Sequence, residues 1–105
     1  MELERVAFVL LKRPEDAIDY PEDELERIQE AHLSYMDGLR QRGLLLTNGP
    51  FDGQSTESLR GICLYATSVE EARSLAEDDP AVKAGRLEVE AFTWLYPAGT
   101  VSFSG

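Results

Sequence analysis

Between Arg5 and Lys12 the chain carries Val6, Ala7, Phe8, Val9, Leu10 and Leu11 without a polar break. A strand with one wet face alternates apolar and polar residues, so an unbroken run of this length predicts a central strand buried on both faces. Such a strand requires a sheet around it and cover above and below.

The rest of the chain supplies that sheet. Leu25, Ile28, His32, Met36 and Leu39 recur at spacings of three, four, four and three, which at 100° per residue makes one helical stripe. Pro21 suits the first helical position, Asp23 and Glu24 suit the first turn, and Arg40, Arg42 and Gly43 suit the end. Leu44 to Thr47 reads as a short second strand ending in Asn48-Gly49-Pro50, and Asp52 to Ser58 as a connecting loop. Leu59 to Ala66 is a third strand. Ser68-Val69-Glu70-Glu71 has the capping-box pattern of a second helix that stops at Asp78-Asp79-Pro80, because the residue before proline avoids helical dihedrals.

Leu87, Val89, Ala91, Thr93 and Leu95 alternate with Glu88, Glu90, Phe92, Trp94 and Tyr96, the period of a fourth strand. The order β-α-β-β-α-β is the split βαβ arrangement: an α+β, ferredoxin-like fold with two helices on one face of a four-stranded antiparallel sheet. The other face carries apolar and aromatic side chains with no helix left to cover them. It predicts a homodimer packed sheet to sheet, with further association left open.

The 105 residues fit one domain, and 43% hydrophobic with 9% aromatic residues suffice for a core. A formal charge of −10 repels nucleic-acid phosphates and anionic headgroups, which argues against nucleic-acid and membrane-surface roles. No signal-peptide pattern or bilayer-length apolar run occurs, so the expected location is cytoplasmic. Cys63 is the sole cysteine and sits in an apolar run, where a thiol is usually core filler. One imidazole and scattered carboxylates make a poor metal set, and neither metal nor cofactor is expected.

His32 is the only histidine, hence the first candidate for proton exchange near neutral pH. The same position also suits a structural histidine satisfied by a backbone carbonyl or water. Asp79, at the turn after the second helix, can lean toward the first helix and orient an imidazole tautomer, or can simply be a turn residue. Together they would form a general base and its orienting acid without a companion nucleophile, which fits proton transfer or elimination better than acyl transfer. Asn48, Gly49 and Pro50 are either plain turn chemistry or backbone that approaches a ligand; Tyr35 and Trp94 are either packing residues or part of the pocket wall.

Ala31-His32-Leu33, Gly43-Leu44-Leu45, Gly49-Pro50, Glu70-Glu71-Ala72, Asp79-Pro80, Gly85 and Trp94, in this order and spacing, resemble a YCII-related domain over residues 5 to 96. The resemblance implies a dimeric α/β barrel and an active site pairing the family's histidine and aspartate, here His32 and Asp79. Similar domains include an enzyme that eliminates chloride from a chlorinated hydroxyquinone, and the wider superfamily includes isomerases and monooxygenases acting on small aromatic or lactone compounds. The chain departs from the usual pattern at Ala81, where an aromatic often follows Asp-Pro, and in its long acidic insertion before the first helix. The expected function is proton transfer on a small molecule by His32 and Asp79, with Tyr35, Asn48, Gly49, Pro50 and Trp94 around the ligand. The rival is a non-catalytic ligand-binding or interaction domain.

Overall fold

The computed structural model describes residues 1–52 and 58–103, so most of the loop expected from Asp52 to Ser58 lies outside the described residues. Its elements are β1 (Leu3–Lys12), α1 (Glu22–Gln41), β2 (Leu45–Pro50), β3 (Leu59–Tyr65), α2 (Val69–Glu77), α3 (Pro80–Lys83) and β4 (Glu88–Pro97). The four strands form one antiparallel sheet in the order β2-β3-β1-β4. This is the α+β, ferredoxin-like arrangement expected from the element order.

β1 lies inside the sheet, paired with β3 and β4, as its unbroken apolar run requires. Ala7, Val9 and Leu11 point into the main core with Met36, Leu39, Cys63, Tyr65, Ala72 and Ala76. Val6 points the opposite way and meets Leu64 and Tyr96, with Phe8, Leu46 and Phe103 beside them. On that uncovered face Phe92 and Trp94 remain 47% and 44% exposed. Their rings meet Phe8 edge to face, at centroid distances of 6.3 and 6.0 Å.

The helix ends follow from local chemistry. α1 begins one residue after Pro21 and closes in a Schellman motif: Leu44 N–H donates to Leu39 O, Gly43 N–H to Arg40 O, and Gly43 adopts φ 75°. At α2 the Ser68 hydroxyl accepts from Glu71 N–H at 3.1 Å, half of the expected capping box.

Two features differ from the sequence reading. Pro80 does not merely stop α2; it opens the additional one-turn helix α3, because proline is preorganised for a first helical turn. Asn48-Gly49-Pro50 is strand and not turn, since β2 is an edge strand where a proline need not donate to a neighbour. A register irregularity between Leu45 and Thr47 puts one extra residue in β2. It brings Asn48 opposite Cys63 and Pro50 opposite Gly61, onto the helix-covered face.

The acidic insertion before α1 docks on the turn after α3. Ile18 N–H donates to Gly85 O, Tyr20 Oη donates to Ala84 O at 2.7 Å, and the Ile18 side chain occupies the space beside Gly85, where a Cβ would come within 2.7 Å of it.

Candidate active site

The stripe on α1 divides between two tasks. Met36 and Leu39 are buried in the core, whereas Leu25, Ile28 and His32 line a cavity of about 470 Å³ between the first half of α1 and one end of the sheet. Asn48, Gly49 and Pro50 form part of the opposite wall, brought there by the extra residue in β2. Arg40 on α1 donates to Asn48 Oδ1 and ties that strand to the helix.

Asp79 is fully buried at the N-cap of α3. Its Oδ1 accepts from Ala81 N–H at 2.9 Å, and its Oδ2 lies 2.6 Å from His32 Nδ1. An ionised carboxylate only accepts, so Nδ1 carries the proton and donates it. Nε2 is therefore left with a lone pair on a ring that is 12% exposed and lines the cavity. That arrangement can accept a proton from a bound molecule.

The two remaining expected wall residues lie elsewhere. Tyr35 donates from its hydroxyl to Leu75 O at 2.6 Å, which links α1 to α2, and its ring packs on the core. It stands three residues beyond His32, rotated off the cavity toward α2. Trp94 has the strand parity of Tyr96 and faces the uncovered side of the sheet. Neither lines the cavity.

Three cationic residues that the sequence reading did not single out do line it: Arg13, Arg60 and Arg86. Arg13 Nε donates to Arg86 O at 3.3 Å, and Arg86 Nη1 to Ile18 O at 2.9 Å. Burial, and then the like charges of Arg86 and Arg60, pull the Arg13 guanidinium below its ordinary value. No local sequence pattern marks these arginines: Lys12 pairs with Leu59 and with Glu88, and it is this register that gathers residues one or two positions from those partners at one end of the sheet.

Beneath the dyad, burial pushes the Cys63 thiol up to about 12 and raises the Tyr65 phenol well above its usual value, with the Asp79 charge acting in the same direction. Cys63 is thus a protonated core residue. Among the described residues no group of three or more His, Cys, Asp or Glu is placed to hold a metal ion. No helix among them is long and apolar enough to cross a membrane.

Comparison with curated protein sequences returns no match. Among solved structures the chain is similar to 5-chloro-2-hydroxyhydroquinone dehydrochlorinase (TftG) from Burkholderia phenoliruptrix AC1100, in complex with 2,5-dihydroxybenzoquinone. The two share 27% identity over 89% of this chain and 95% of that one, with a TM-score of 0.50. The model of the YCII-related domain matches residues 6–94, a span that runs from the first core residue of β1 through the cavity and the dyad to Trp94 on β4. The chain belongs to the YCII-related domain family.

Proposed function

We propose that this protein is a small-molecule enzyme that uses His32 as a general base in an elimination, with Asp79 as its positioning residue. The observation that carries the reading is the 2.6 Å contact between His32 Nδ1 and a fully buried carboxylate, which fixes the tautomer and leaves Nε2 free at a cavity. Likeness to a dehydrochlorinase supports the reaction class.

In such a step Nε2 takes a proton from the substrate. The electron pair released forms a new double bond, and the leaving group departs with its own bonding pair, as chloride where the substrate is chlorinated. The imidazolium that results faces the Asp79 carboxylate, which stabilises the new positive charge. Asn48, Gly49 and Pro50 bound the substrate on the β2 side. No nucleophile is required.

The uncovered sheet face supports a homodimer: Phe92 and Trp94, beside the partly buried Phe8, form an exposed apolar patch of the kind that marks an interface.

The test is chloride release from 5-chloro-2-hydroxyhydroquinone by wild type and by His32→Gln, with folding checked by circular dichroism. Release by wild type, lost in a folded His32→Gln protein, is expected. Equal release by both would remove His32 from the chemistry.

A further inference from the structure

The chain has ten basic residues against twenty acidic ones, yet three of the ten line the cavity that holds His32. Gathering like charges is unfavourable, and the fold arranges it from three separate parts of the chain: Arg13 after β1, Arg60 at the start of β3 and Arg86 before β4. Among the described residues, no carboxylate neutralises them from within. Arg13 and Arg60 make no ion pair with any described residue, and the closest acid to Arg86 is Asp19, 3.9 Å away on a fully exposed side chain. Glu22 and Glu26 also border the cavity, but both stand exposed on the first turns of α1, at its mouth.

Two of the guanidinium groups, those of Arg13 and Arg86, are also held in place. Among the described residues, Arg13 spends only Nε, on the Arg86 carbonyl, and Arg86 spends Nη1 on the Ile18 carbonyl. Arg86 itself is fixed by the turn that closes α3, where its N–H donates to Ala81 O and Gly85 takes φ 75°. The terminal N–H groups of Arg13 have no partner among the described residues and can meet a ligand, in the fork geometry that suits two oxygens of one planar anion.

Resting on the elimination reading above, we infer that the cavity selects planar organic oxyanions, carboxylate or enolate, with Arg13, Arg60 and Arg86 holding the negative oxygens and His32 Nε2 facing the atom that loses its proton. The arginines serve twice in this arrangement. They bind the charge already present, and they stabilise the further charge that builds on oxygen as Nε2 withdraws the proton.

Three probes of similar size test it by calorimetry: 2,5-dihydroxybenzoquinone, an enolic acid that is ionised at neutral pH; 2,5-dihydroxybenzoate, a carboxylate; and 2,5-dimethoxybenzoquinone, which is uncharged. At least one anion is expected to bind tenfold or more tighter than the uncharged quinone, and which one it is names the oxyanion. Its affinity should fall about tenfold in Arg13→Gln and in Arg60→Gln, the scale of one charge-assisted hydrogen bond. In wild type its affinity should also weaken with added salt while that of the dimethoxy compound does not. Equal affinity for charged and uncharged probes, failure of both anions to bind, or an anion affinity unmoved by salt and by both substitutions would overturn the inference. The two readings fail separately. Chloride release that depends on His32 without anion preference leaves the elimination and removes the anion clamp, whereas anion preference without conversion leaves the clamp and removes the enzyme.

Discussion

His32 and Asp79 stand 47 residues apart in the chain and 2.6 Å apart in space, joined through Nδ1 and Oδ2. The aspartate that accepts this hydrogen bond also caps α3 with its other oxygen, so one buried carboxylate fixes both a helix end and an imidazole tautomer.

Asp79→Asn separates those two duties. The amide oxygen still accepts from Ala81 N–H, as asparagine is an equally good N-cap. The amide nitrogen then faces His32 Nδ1 as a donor, which moves the ring proton to Nε2 and removes the base. Turnover should fall on the order of 10³-fold or more while the fold persists, in line with other bases whose orienting acid is amidated. Nitrogen NMR of the imidazole should show Nδ1–H in wild type and Nε2–H in the variant; an unchanged tautomer would sink the account.

Two glycine substitutions should act in opposite directions. At Gly61 an added Cβ would lie 2.5 Å from Gly49 O and 3.1 Å from Pro50 Cα, so Gly61→Ala must push β2 away and widen the cavity. A loss of about 1–3 kcal/mol is expected, typical of backbone overpacking. Gly38 lies inside α1 with nothing within 4 Å of its Cβ position, and Gly38→Ala should add about 0.5–1 kcal/mol. Urea denaturation of both variants checks the pair.

Cys63 should be inert to thiol reagents in the folded protein at pH 8 and reactive once unfolded. Its native thiol keeps its proton up to about 12. In the unfolded chain a thiol releases its proton near 8.5. Between those values the unfolded state binds fewer protons, so this group's contribution holds below about pH 8.5 and is lost as pH rises. Stability should therefore decline on the alkaline side from about pH 8.5, and Tyr65, raised in the same sense, should steepen the decline above pH 10. Cys63→Ala should flatten the first part of that slope; an unaltered slope would contradict it.

Trp94→Glu places a charge in the exposed aromatic patch beside Phe8. If that face joins two copies, light scattering should show a dimer for wild type and a monomer for the variant, with no loss of helical signal. A dimeric Trp94→Glu protein would show that the patch serves another purpose.

The order and type of the main elements were legible along the chain, because each rests on local chemistry. The unbroken run of β1 and the alternation of β4 report how many faces a strand buries, and Gly43 and Ser68 mark helix ends by groups only one turn away. His32 was legible as a candidate because it is the only histidine of the chain, whereas its place on the apolar stripe suited a structural role as well.

The rest depended on partners distant in sequence. Asn48-Gly49-Pro50 carries the local signature of a turn, and only its place on an edge strand makes it a wall of the cavity. Tyr35 and Trp94 sit close to the right faces, but a rotation of three residues on a helix, or the parity of a strand, turns a side chain away. Arg13, Arg60 and Arg86 share no local pattern at all. Antiparallel pairing brings one end of β1, β3 and β4 together, and that register, set by the burial of one sheet face against the helices, decides where their charges meet. The sequence by itself determined which elements form, since hydrophobic period and capping act over a few residues; the tertiary structure alone decided which side chains share a cavity, since that is fixed by packing between elements far apart in the chain.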